Sequence, residues 1–100
     1  MAKNSRATII VEARRSERTD IDMPAAVDAG PAHNIRVIVR NISAHGVMIE
    51  VSARLAPGRP LKIDLPRLGK RSARIAWIRD GRAGVAFDEP LSPDELAGLV

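Results

Sequence analysis

Two short stretches of the chain hold side chains whose types and spacing suit recognition of a small polar molecule. The first is Arg14-Arg15-Ser16-Glu17-Arg18, an Arg-x-x-x-Arg with a further arginine inside it. Three guanidinium groups within five residues repel one another unless an anion neutralises them. Phosphate suits that task, because the planar fork grips two of its oxygens at once, and the same plane stacks on purine rings. The second stretch is Asn41-Ile42-Ser43-Ala44-His45-Gly46, at the end of one expected strand and the start of the next. In an extended chain Asn41 and Ser43 share a face and Ile42 points to the other, while Gly46 supplies the turn. Each stretch also has an ordinary reading when taken alone. A short basic run is commonly solvated, and Asn, Ser and Gly are the residues a strand connection prefers.

Catalytic chemistry is harder to assemble. The chain has no cysteine, which removes a thiolate nucleophile, a disulfide scaffold and any cysteine-ligated metal. The two histidines, His33 and His45, are twelve residues apart in different segments, with no metal-recruiting spacing, and read as solvated loop residues. Ser43 and His45 would share a strand face, but no nucleophile elbow or glycine-rich oxyanion loop surrounds them. The carboxylate pairs Asp20/Asp22 and Asp88/Glu89 fall at element edges and read as solvated charges. Gly69-Lys70-Arg71-Ser72 is similar to the tail of a phosphate-binding loop, yet Asp64 stands where that loop needs its first glycine, and the segment joins two strands. An enzyme is not expected, and neither is a metal or a cofactor.

The charge is unevenly placed. All sixteen Lys and Arg, thirteen of them Arg, lie in residues 1–82, whose balance is +8; residues 83–100 carry −4 and no base. A solvated surface also produces such a bias, so charge alone leaves an anionic partner open. One hundred residues allow one domain, which should bury roughly 65% of the extended chain's surface. A hydrophobic content of 45% is ordinary for a globular domain. No apolar run nears the roughly 20 residues of a membrane span. Near the N-terminus only Ala7 to Val11 is apolar, with no small-residue cleavage site after it, so a secretory signal is not expected. With no cysteine to oxidise, a cytoplasmic location is the default.

The elements that must position these residues read as short strands. Ile35 to Ile42 alternates Ile35, Val37 and Val39 against Arg36 and Arg40, with Ile38 breaking the polar face. Val47 to Val51, Leu61 to Leu65, Ala73 to Ile78 and Ala83 to Phe87 follow, and an earlier strand runs from Thr19 to Met23 or on to Val27. Asp80-Gly81 is a two-residue hairpin signal, because a type I′ turn needs positive φ at both central positions. Ala29-Gly30-Pro31 and Ala56-Pro57-Gly58 are turns. Trp77 and Phe87, the only aromatics, are expected as core or half-buried barrel residues. Ser92-Pro93-Asp94-Glu95 forms a capping box ahead of Leu96 and Leu99, giving a helix over 92–100. Strands about ten residues apart, joined by turns, predict an all-β barrel or sandwich. Residues 1–13 are expected as a flexible arm and 14–100 as one barrel domain including the helix.

Arg-x-x-x-Arg, followed some twenty residues later by Asn-x-Ser-x-x-Gly at a strand junction, resembles the PilZ domain family. The closing segment, with Trp77, a tight turn at Asp80-Gly81 and then Gly84-Val85-Ala86-Phe87, is similar to the family's last hairpin. The resemblance covers about residues 12–90. It implies a six-stranded antiparallel β-barrel with a C-terminal α-helix, and a receptor for the bacterial second messenger cyclic di-GMP. Arg14 and Arg18 match the ends of the arginine motif, and Arg15 matches a frequent additional arginine. The resemblance gives these three the phosphates and the guanine edges or faces. It gives Asn41 and Ser43 a guanine edge, and Gly46 a close passage of backbone past the ligand. The family accepts Asp or Asn at position 41, and the uncharged carboxamide both donates and accepts.

Because the arginine motif precedes the barrel and the Asn-Ser motif lies on it, binding is expected to fold residues 1–18 against the barrel and so signal to a downstream protein, in motility, adhesion or biofilm control as the family suggests. Two alternatives stand beside this. One is a PilZ-like adaptor that has lost nucleotide binding. The other is a small nucleic-acid-binding barrel, for which two aromatics are too few.

Overall fold

The computed structural model describes residues 18–100. The arm expected over 1–13, and with it Arg14 and Arg15, lies outside the described residues. Six strands follow one another: β1 (Thr19–Ala29), β2 (Ala32–Ser43), β3 (Gly46–Glu50), β4 (Pro60–Leu65), β5 (Gly69–Arg79) and β6 (Arg82–Phe87), and then one helix, α1 (Pro93–Ala97). All pairings are antiparallel, and the order β1-β2-β3-β6-β5-β4 closes through a β1–β4 pairing into a barrel. The expected six-stranded antiparallel barrel with a short C-terminal helix is therefore the observed fold. The strands run longer than their apolar cores suggest. β1 extends to Ala29, and β5 begins at Gly69, so Gly69 to Ser72 is strand rather than connection. The helix is shorter than expected, five residues within 92–100.

Closure follows from the alternation. In β4, Leu61, Ile63 and Leu65 are buried while Lys62 and Asp64 are exposed. The same period sends Val27, Val37, Val39, Val47, Ile49, Ala73, Ile75, Ala83, Val85 and Phe87 inward to fill a small barrel with aliphatic volume. The helix is fastened by its cap. Glu95 N–H donates to Ser92 Oγ, and Ser92 N–H donates to Glu95 Oε1 at 2.9 Å, with Pro93 in the first turn. Leu91 is buried, and Leu96 and Leu99 pack against the core. No helix of the described residues is long and apolar enough to cross a membrane.

Four register shifts break the alternation; one, between Val27 and Ala29 of β1, lies beside the β1–β2 turn, and the other three are bulges further along the strands. β1 carries one extra residue between Asp20 and Met23, β2 one between Val39 and Asn41, and β5 one between Ile75 and Trp77. They fall at one height around the barrel. Strict alternation after Val37 and Val39 would turn Asn41 inward; the extra residue at Arg40 turns it outward and admits Ile42 to the core instead. On β5 the extra residue at Ala76 leaves Trp77 facing outward, while Ile78 stays 37% exposed. Of the two aromatics expected as core or half-buried, Phe87 is core, and Trp77 lies on the outer wall with 40% of its surface exposed.

Candidate functional site

Across the outer wall, the register places Trp77, Gly84, Met48, Asn41 and Asp20 side by side on β5, β6, β3, β2 and β1. With strands about 4.8 Å apart, Trp77 and Asn41 stand roughly 14 Å from each other along this row. The indole lies flat on Gly84: a Cβ there would fall among the ring atoms Nε1, Cε2 and Cδ1. Glycine at 84 is thus the seat on which the ring rests against the wall. Arg79 approaches the indole with its guanidinium carbon 5.8 Å from the ring centroid, within the range of a cation–π contact.

At the other end of the row, Arg18 Nη1 donates to Asn41 Oδ1 at 2.8 Å. The last residue of the arginine motif and the first of the Asn-Ser motif, 23 positions apart, thus meet on the barrel wall. Asn41 Nδ2 points to Met48 Sδ at 3.9 Å, a weak acceptor that leaves the amide donor available to something better. Beside Asn41 is an open cleft of about 450 Å³ lined by Asp20, Ile21, Asp22, Arg40, Met48 and Arg82. Because of the bulge, Arg40 and Asn41 are consecutive and both serve this face. Arg40 pairs with Asp22, and its Nε donates to Glu50 Oε1 at 2.9 Å; Glu50 also faces Arg82 at 3.7 Å. The hydrogen bond to Asp22, and then the charge of Glu50, hold the Arg40 guanidinium more firmly protonated than usual.

The rest of the second motif is placed differently. Ser43 is fully buried, and its Oγ accepts the His45 N–H at 3.1 Å. Phe87 N–H donates to His45 O at 2.9 Å and Leu91 N–H to Ala44 O at 2.8 Å, so residues 87–91 run alongside the turn and hold it. Gly46 does not supply the turn, which is made by Ala44 and His45; it opens β3. What requires glycine there is β6, since a Cβ at 46 would run into the Val85 carbonyl. The structure thus brings Arg18 and Asn41 together, embeds Ser43 and Gly46 in the frame beneath them, and adds Trp77, Gly84, Met48 and Arg40 to the same wall. Sequence reasoning missed those four. The available signal was the slip of the apolar pattern from odd to even positions, Val39 to Ile42 and Ile75 to Ile78. Among the described residues no three His, Asp or Glu side chains converge where they could hold a metal ion.

Six antiparallel strands closed into a small barrel, with one short C-terminal helix, define the class of domain. Comparison with protein families makes it particular. The PilZ domain model matches residues 12–100, and the chain belongs to the PilZ family, a family of cyclic di-GMP receptor domains. Among solved structures, the crystal structure of the PilZ domain of CeSA from a cellulose-synthesizing bacterium is similar. It shares 19% sequence identity and a TM-score of 0.63, over 82% of this chain and 90% of that one. No curated protein sequence matches.

Proposed function

We propose that this domain binds cyclic di-GMP on the outer wall between Asn41 and Trp77, and that binding orders residues 1–18 against the barrel to signal to a partner protein. The observation that carries this reading is the 2.8 Å contact between Arg18 and Asn41, which joins the two motifs at one point of the wall. The ligand has two phosphates and two guanine bases. Arg14, Arg15 and Arg18 supply cations for the phosphates and bidentate donors for guanine O6 and N7. Asn41 carries a donor and an acceptor for a guanine edge. Ser43 and Gly46 act from within the frame: the serine hydroxyl holds the turn that presents Asn41, and the glycine lets β3 lie close to β6. Trp77 offers a flat apolar surface in the same row, suited to stacking on a base.

A calorimetric titration with cyclic di-GMP, with GTP and cyclic AMP as controls, tests the ligand: binding of the first alone is expected, and no binding rejects the reading. Arg14→Ala, Arg18→Ala and Asn41→Ala should each abolish binding or weaken it at least about tenfold, as loss of a charge-assisted or bidentate contact does, with the melting temperature near wild type. Amide exchange of residues 6–18 should slow on ligand addition. Equal exchange in both states would remove the ordering of the arm from the proposal.

A further inference from the structure

The cleft beside Asn41 holds more negative charge than an anion site needs. Asp20 and Asp22 line it, and Glu50 adjoins it through Arg40 and Arg82. The two guanidiniums that line the cleft are already engaged: Arg40 by Asp22 and Glu50 together, Arg82 by Glu50. These pairs are solvent-exposed, with 75% of the Asp22 side chain and 39% of the Arg40 side chain accessible. Exposed ion pairs add little to stability and exchange partners readily. Their position is nonetheless determined by the fold, because the β2 bulge sets Arg40 next to Asn41 on the outer face and the register sets Glu50 two residues from Met48. A phosphate entering this cleft would have to draw Arg40 away from two carboxylates, and would meet their field as it did so.

We infer that Asp22 and Glu50 are internal competitors for Arg40 and Arg82, and that they hold down the affinity of the cleft for phosphate-bearing ligands. The inference rests on the nucleotide-binding reading of the same wall. It makes Asp22 and Glu50 residues that lower affinity without touching the ligand, and it makes Arg40 a latent phosphate contact beyond the two motifs. Removing either acid should tighten binding, the reverse of what loss of an ordinary site residue does.

The test is calorimetry with cyclic di-GMP at constant ionic strength on the wild-type chain and on Asp22→Asn, Glu50→Gln, Asp22→Glu and Asp64→Asn. Asp64 lies on β4 beside a separate cleft with Pro24, Asn34 and Arg36, so its amide variant makes the same change in net charge elsewhere. Asp22→Asn and Glu50→Gln are each expected to tighten binding about three- to fivefold, the size of one exposed charge acting across several ångströms. Asp22→Glu, which keeps the charge, and Asp64→Asn should stay at the wild-type value. If the wild type binds while Asp22→Asn and Glu50→Gln bind equally or more weakly, or if Asp64→Asn tightens as much, the competition is overturned and the nucleotide reading survives. If the wild type shows no binding but the two amide variants do, the competition is upheld, and the wild-type domain is rejected as a receptor although its wall can hold the nucleotide. If none of the proteins binds, both readings fall.

Discussion

The β2–β3 and β5–β6 connections are both two-residue hairpin turns, yet different parts of the chain specify them. At β5–β6 the central residues Asp80 and Gly81 have φ of 51° and 76°, the left-handed pair of a type I′ turn whose twist matches the strands it joins. That turn is written in its own two residues. At β2–β3 neither Ala44 nor His45 has positive φ, so the backbone is not in the form that a tight hairpin favours. Its own flank contributes one contact, Ser43 Oγ on the His45 amide, and the rest come from outside, from the Phe87 and Leu91 amides and from the Val85 carbonyl packed against Gly46. One turn is local chemistry. The other, which presents Asn41, is a product of the finished barrel.

Substitutions should separate the two. Gly46→Ala is expected to cost the most, about 3 kcal/mol in urea denaturation, because its methyl meets a backbone carbonyl that cannot swing aside. Ser43→Ala should cost about 1–2 kcal/mol, leaving the His45 amide without its buried acceptor. Gly81→Ala should cost about 1 kcal/mol, the strain of a Cβ in the left-handed region, since the nearest atom, Val51 O, is 3.9 Å away. A Gly81 variant as damaging as the Gly46 one would erase the contrast.

The smallest expected effect is that of acid. The Ser92 backbone amide, and after it Arg71, hold the Glu95 carboxyl below its ordinary pKa. A carboxylate whose folded pKa is depressed contributes stability in full above its unfolded pKa and loses it as pH falls through the folded value. Acidification from about pH 5 to below pH 4 should therefore loosen the helix cap and the 87–91 brace it anchors. Exchange of the Leu91 amide should speed up over that range more than exchange in the β5–β6 hairpin, and Glu95→Gln should flatten the difference.

The contrast also explains how far the residues could be read before the fold was known. Asp80-Gly81, the Ser92–Glu95 box and the alternation of Leu61, Ile63 and Leu65 are short-range statements, and each appears in the structure as expected. The barrel followed from many such statements together. The side of the wall on which Asn41 and Trp77 stand did not, because a bulge is a property of two paired strands and leaves only a slipped apolar pattern in one of them. For the same reason Gly46 looked like a turn residue: its constraint comes from β6, some forty positions away. The two motifs themselves were legible as residue types in order. Their meeting at Arg18 and Asn41 required the paired strands.

Closure of the sheet has a consequence for how such a domain talks to other proteins. Every one of the six described strands is hydrogen-bonded on both flanks, with β1 and β4 completing the ring. Free flank is left only along parts of strands, such as Thr19–Ala25 of β1 towards β4 and Ala32–Val37 of β2 towards β3, so a partner has little edge on which to add a strand of its own. Most of the surface it meets consists of side chains projecting from the wall and the segment that crosses the end of the barrel. Recognition of that kind changes by single substitutions on exposed positions and leaves the frame untouched, so one barrel can be retargeted many times without being rebuilt.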